Sequence, residues 1–219
     1  MKNITKDAVV ALLDKKFIRV YDLQYAPGKH YYDASRRKAE DLIAVKSDVA
    51  FKEMTADAVT CIVICRANET DEPRLLLSYE YRYPAGRFLL SPPAGLMDEA
   101  DLAYGKEAPI VAAKREIREE TGLAFAQGDT IEIVNPLLFS SPGLTDESNA
   151  IVCMVKNNFR EEDLSQAGAV GTECFDGFAL LTREDALQTL KSGTDSKGFF
   201  YSAYTWMALL YFVHVFATL

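Results

Sequence analysis

No two of the four cysteines, Cys61, Cys65, Cys153 and Cys174, fall at CxxC spacing, which removes a zinc ribbon or a dithiol redox centre as the organising feature. They sit mostly inside apolar runs such as VTCIVIC and AIVCMV, so buried free thiols in a reducing compartment are expected. The chain also lacks an excess of positive charge: its net charge of -8 opposes general binding to nucleic acid or to an anionic membrane. A phosphorylated small substrate would therefore need local help from arginines or metal ions. The opening MKNITKDAVVALLDKK has apolar stretches too short and interrupted for a signal peptide, and the expected setting is cytoplasmic. Internal repeats, low-complexity tracts and a basic helix-turn-helix are missing too. One stretch, residues 199–219, has no Asp, Glu, Lys or Arg. A span needs about 20 apolar residues, but Tyr201, Ser202, Tyr204, Thr205, His214 and Thr218 dilute this run. It is expected to be a helix buried in a core or subunit interface, not a membrane anchor.

What remains is an ordinary globular composition, 49% hydrophobic and 26% charged, with 11 Tyr and 12 Phe in 219 residues. Residues 5–13 suit a short helix, while FIRVYDLQY alternates like a strand and PGK at 27–29 turns the chain. Residues 1–55 thus form a β-rich segment ahead of a main domain over 56–219. In that domain AVTCIVIC, RLLLSYEYRY, RFLLS, IEIVNPLLF, NAIVCMV and ECFDGFALL are the predicted strands. A helix from Pro109 to Thr121 starts with proline and closes on Gly122. TREDALQTLK is a second helix capped by Thr182, and 199–216 a last one. Strands on both sides of one central helix, with helices at the end, predict an α+β protein, an α/β/α sandwich on a mixed sheet.

The central helix carries KREIREETGL, with Glu116, Glu119 and Glu120 on adjoining positions of one side. Like charges at that spacing repel by a few tenths of a kcal/mol per pair, about 0.2–0.5. Two explanations fit these ten residues equally: surface ion pairs with Lys114, Arg115 and Arg118, or a site for a hard divalent cation. The wider pattern separates them. Glu107, Arg115, Glu116, Ile117, Glu119, Glu120, Gly122 and Leu123 together resemble the Nudix box. The box's opening glycine would fall at Asp101, so Gly95 is expected to take its role, with a loop six residues longer than usual before Glu107. LLLSYEYRYPAGRFLLSPPAGLMDE, SSPGLTDES and GTECFDGFALL resemble segments of the ADP-ribose pyrophosphatase branch. Ser91 stands where that branch has a glutamate ahead of x-PAG.

The resemblance implies a hydrolase that splits the diphosphate of a nucleoside diphosphate linked to another moiety, with ADP-ribose giving AMP and ribose 5-phosphate. It implies Mg²⁺, with Mn²⁺ as the alternative, held by Glu116 and Glu120, by Glu119, and by the main-chain carbonyl of Ala94. Arg115 would pin a carboxylate and Glu107 would cap or orient the helix start. Glu173 or Glu147 would act as general base. Arg82 would clamp a phosphate and Tyr81 would lie near the base. Arg36 and Arg37 would reach the substrate from the N-terminal segment, across a homodimer. Other substrates stay open, a GDP-sugar, a dinucleotide or a coenzyme, as does a non-catalytic nucleotide-sugar sensor.

Overall fold

The computed structural model describes residues 4–68, 70–169 and 171–216. Its strands are β1 (Val9–Asp14), β2 (Arg19–Ala26), β3 (Lys29–Ser35), β4 (Ala58–Cys65), β5 (Arg74–Arg82), β6 (Arg87–Ser91), β7 (Ala94–Leu96), β8 (Thr130–Phe139), β9 (Ser148–Lys156) and β10 (Phe175–Leu181). Its α-helices are α1 (Asp48–Lys52), α2 (Glu99–Leu102), α3 (Ala108–Thr121), α4 (Arg183–Ser192) and α5 (Ala203–Leu210). The chain divides into two compact units, residues 1–57 with 136–149, and residues 58–135 with 150–219.

In the first unit β1, β2 and β3 form an antiparallel meander, turned at Pro27-Gly28, where Gly28 takes a φ of 66°. Tyr21, Leu23 and Leu42 form its small core. Residues 5–13 are not a helix: one 3-10 turn at Lys6–Ala8 leads into β1. The run VVALLD pairs with β2 through a bulge between Ala11 and Leu13, and tertiary pairing overrides a weak local preference. Arg37 is the hub of the unit. Its guanidinium pairs with Asp57, and with Asp146 at 3.1 Å, while Asp57 Oδ2 accepts hydrogen bonds from the Ser148 backbone N–H and hydroxyl.

The second unit is built on a sheet ordered β10-β5-β4-β9-β8, with β6 added to β5 and β7 to β4. Strand β4 reads AVTCIVIC and is buried at every position, as a strand covered on both faces must be. Bonds at its two ends, Asp57 N–H to Ser148 O and Arg66 N–H to Lys156 O, advance in the same direction, so β4 and β9 run parallel within a mixed sheet. The pairs β4–β5, β5–β6, β4–β7 and β5–β10 are antiparallel.

Side-chain alternation along β5 assigns the two faces. Tyr79 donates to Asp195 at 2.8 Å and packs on Phe199, beside α4 and α5, whereas Glu80 points to the side of α3. Thr182 caps α4 in a reciprocal capping box with Asp185. The final helix begins at Ala203, because Leu90 bridges Tyr201 and its N–H donates to Phe200 O at 2.9 Å. It ends in a π-helical turn, Tyr211–Val215, where Arg183 Nε donates to the Val213 carbonyl. Residues 217–219 of the uncharged C-terminal run lie outside the described residues. Among the described residues no helix is long and apolar enough to cross a membrane. Cys61, Cys65 and Cys153 are buried free thiols as expected, but Cys174 is exposed, since it lies in the turn before β10 and not in an apolar run.

Candidate active site

Helix α3 owes its bounds to Pro109 in its first turn and to Gly122, whose φ of 77° closes it in the left-handed region. Ala108, Ala112, Ala113, Ile117 and Thr121 bury one stripe, and α3 packs with that stripe on β4 and β7. Glu116 and Glu120, one turn apart, are carried to the edge of the stripe and are only 5% and 4% exposed. Glu119 is offset around the helix and stays partly open. Three glutamates that look alike in sequence are thus two buried carboxylates and one at the rim.

The segment Pro93-Ala94-Gly95 covers the pair. Strand β7 lies antiparallel to β4 through Thr60–Ala94 and Val59–Gly95, and Ala94 N–H donates to Glu120 Oε1 at 3.4 Å. Gly95 is required by approach: a Cβ there would fall well under 3.0 Å from the Glu116 carboxylate. The next residues fold as α2, capped reciprocally by Asp98 and Asp101, so the longer loop is ordered around a short helix.

Arg115 ties this loop to the helix. Its Nη1 donates to Glu116 Oε1 at 2.6 Å and reaches Glu119 Oε2 at 3.5 Å, while Nη2 donates to Asp101 Oδ2 at 2.7 Å and to Leu96 O at 2.9 Å. Asp101, the position where the box pattern has glycine, is a buried partner that orients Arg115. Glu107 stands at the N-cap of α3 but makes no capping hydrogen bond and is exposed, because the preceding 3-10 turn Gly105–Glu107 already delivers the chain in helical conformation.

Electrostatics single out Glu120. Burial, then repulsion from Glu80 and more weakly from Glu116 and Glu173, outweigh the Ala94 N–H and push its pKa up to about 9. Glu116 and Glu80 are also raised, first by burial, although Arg115 opposes the shift at Glu116 and Arg82 opposes it at Glu80. Glu80 is the residue that sequence reasoning missed. It lies on β5, on the face it shares with Arg82, whose Nη2 is 2.6 Å from Glu80 Oε2. Its neighbour on β6 is Ser91, directly opposite Ser78. Both hydroxyls are buried without a hydrogen-bond partner of sound geometry, and Ser91 still lies near enough to favour the charged form of Glu80. The missing acid at Ser91 therefore has a carboxylate on the adjacent strand; the signal was the alternation Ser78, Glu80, Arg82 read against RFLLS.

Glu173, in the turn before β10, is exposed and adds its charge to Glu80, Glu116 and Glu120. Arg82, Arg115, Glu116, Glu119, Glu120, Glu173 and the Ala94 main chain are thus brought together within the second unit. Tyr81 is not, because alternation puts it on the opposite face of β5, edge-on to Tyr83 and Phe88 at 5.1 and 5.3 Å. Glu147, Arg36 and Arg37 belong to the first unit. Arg36 pairs with Glu147 at 3.0 Å, and Arg37 is committed to Asp57 and Asp146, which makes it a structural residue of that unit.

The donor set suits a hard cation of the Mg²⁺ type, which takes one or two carboxylates and completes its shell with water and substrate phosphate. Among the described residues no three Asp, Glu, His or Cys side chains converge at metal-binding spacing, so the fit rests on Glu116 and Glu120. Their buried, mutually repelling carboxyls are the groups a cation would stabilise.

The NUDIX domain family model matches residues 54–200, and the chain belongs to that family. A Caenorhabditis elegans protein with the provisional name nudix hydrolase 2 is 31% identical over 145 residues, 66% of this chain and 59% of its own length. The ADP-ribose pyrophosphatase of Mycobacterium tuberculosis is 40% identical over 78 residues, covering 36% of this chain and 33% of the relative. The chain therefore spans less than two thirds of either relative's length. A solved structure titled as a C. elegans Ap4A hydrolase binary complex shares 18% identity over 74% of this chain and 99% of its own, with a TM-score of 0.49.

Proposed function

We propose that the protein is a Mg²⁺-dependent hydrolase of nucleoside diphosphate sugars, with ADP-ribose the leading substrate and AMP and ribose 5-phosphate the products. The observation that carries this reading is the pair Glu116 and Glu120, buried under Pro93-Ala94-Gly95 with Arg82 on the neighbouring strand face. The named relative from M. tuberculosis favours ADP-ribose among diphosphate substrates.

Glu116 and Glu120 would hold the cation, with Glu119 and the Ala94 carbonyl completing the protein's share. A bound Mg²⁺ would neutralise phosphate charge and acidify an attacking water. Arg115, fixed by Asp101, keeps the Glu116 carboxylate in place as the substrate enters. Glu173, exposed beside the buried acids, takes the proton from the attacking water. The water oxygen forms a bond to one phosphorus, the bond from that phosphorus to the bridging oxygen breaks, and the bridging oxygen leaves on the other phosphate. Arg82 bears on the phosphate charge during that exchange.

Residues 1–55 are proposed as a dimerisation segment ahead of a catalytic domain over 56–219. Exposed Leu12, Phe17 and Ile18 in the first unit support a homodimer, and light scattering of the full chain at micromolar concentration tests it. Three buried free thiols suit a cytoplasmic setting. A panel of ADP-ribose, a GDP-sugar, a dinucleotide and a coenzyme, assayed with Mg²⁺ and again with EDTA, tests the activity. Cleavage of ADP-ribose that EDTA abolishes is the expected result. Tight binding of a compound with no cleavage of any would replace the hydrolase with a sensor.

A further inference from the structure

Strand β5 ends at Arg82 and β6 begins at Arg87, and the two are direct cross-strand partners across the turn Tyr83-Pro84-Ala85-Gly86. The register is regular from Ser78–Ser91 to Arg82–Arg87, so Ser78, Glu80 and Arg82 share one face with Arg87, Leu89 and Ser91. That is the face on which Glu80 meets the buried glutamates of α3. Directly opposed side chains have their Cβ atoms roughly 5 Å apart, and like charges so placed destabilise a hairpin. Only one of the two guanidiniums is neutralised: Arg82 pairs with Glu80 at 2.6 Å, while Arg87, which is exposed, makes no ion pair and no side-chain hydrogen bond among the described residues. Arg82 and Arg87 thus bring two guanidiniums to the end of one hairpin, only one of them in an ion pair, in a chain of net charge -8.

We propose that Arg87 is a substrate-binding residue which, together with Arg82, clamps a phosphate of the substrate's diphosphate at the edge of the carboxylate site. This rests on the diphosphate-hydrolase reading above. A phosphate with its paired oxygens accepts from two guanidinium forks at once, and its charge relieves the repulsion between them. Glu80 keeps Arg82 turned toward the site by its ion pair, so Arg82 is a held donor and Arg87 an adaptable one.

The test is calorimetric binding of ADP-ribose, AMP and ribose 5-phosphate to the full chain, wild type and Arg87→Ala, in EDTA so that nothing turns over. Initial rates on ADP-ribose with Mg²⁺ follow, with Arg87→Lys as a third protein. Arg87→Ala, at an exposed position, should keep the wild-type melting temperature, bind ADP-ribose and at least one product about tenfold more weakly, and raise KM by a similar factor with kcat within about twofold. Arg87→Lys should recover only part, since an ammonium cannot form the fork. Equal affinities for all three ligands in wild type and Arg87→Ala overturn the clamp, and so does a loss of kcat at unchanged affinity. Hydrolysis that does not depend on Arg87 sinks the clamp alone. Phosphate binding that depends on Arg87 without hydrolysis sinks the hydrolase reading alone, and a wild type that binds none of the three ligands sinks the clamp whatever the rates.

Discussion

Replacing Glu120 by glutamine separates the needs of the fold from those of the chemistry. Glutamine keeps a carbonyl oxygen to accept from Ala94 N–H but removes the titration. The Glu120 carboxyl, 4% exposed, has its pKa pushed up to about 9 from an ordinary 4.5. Between those values the folded chain holds a proton that the unfolded chain has released. Its favourable contribution is therefore full below about pH 4.5 and falls as pH rises toward 9. At about 1.36 kcal/mol per pH unit, the 2.5 units between 4.5 and pH 7 amount to about 3 kcal/mol of stability lost by the metal-free wild type. Glu120→Gln should recover most of that, which is roughly 5–10 °C in the melting of the second unit. The assay is urea and thermal unfolding of both proteins in EDTA at pH 5, 7 and 8. The gap should be small at pH 5 and widen with pH. Adding Mg²⁺ should stabilise the wild type and leave the variant unmoved. A variant equal to or less stable than the wild type at pH 7 and 8 would mean that burial and repulsion do not strain the Glu120 carboxylate.

Gly95→Ala places a methyl on the Glu116 carboxylate, a flexible end that can swing away, so turnover should fall about 100-fold while the melting temperature changes by a few degrees at most. Asp101→Asn weakens the hold on Arg115 and should cost about 10–100-fold in Mg²⁺ affinity, read by titrating the metal against thermal stability. Arg37→Ala leaves Asp57 and Asp146 facing each other without their cation and should destabilise the first unit by about 3–5 kcal/mol in urea unfolding.

Features set by short spacing along the chain are legible in the sequence itself. The stripe of α3, its proline and glycine ends and the i, i+4 pair Glu116 and Glu120 follow from helical period alone. Features that sequence reasoning misses depend on register or on distant partners. Glu80 bears on the site only because β5 pairs with β6 and presents alternate residues to α3. By the same alternation Tyr81, one residue on, faces away. Arg37 reads as a candidate ligand until Asp57 and Asp146, 20 and 109 positions away, close around it. Residues 136–149 fold with the N-terminal segment, a grouping that chain order hides. Asp101 reads as a departure from the glycine pattern, and its pairing with Arg115 makes it part of the site's support.

In the proposed reaction the buried pair Glu116 and Glu120 holds the divalent cation with which a nucleoside diphosphate sugar is cleaved. Chromatographic detection of AMP from ADP-ribose, with wild type and Glu120→Gln side by side in Mg²⁺ and in EDTA, tests it most directly. AMP and ribose 5-phosphate should form in equal amounts with wild type in Mg²⁺, and neither should accumulate in EDTA or with the variant. AMP production by Glu120→Gln at the wild-type rate would contradict the account.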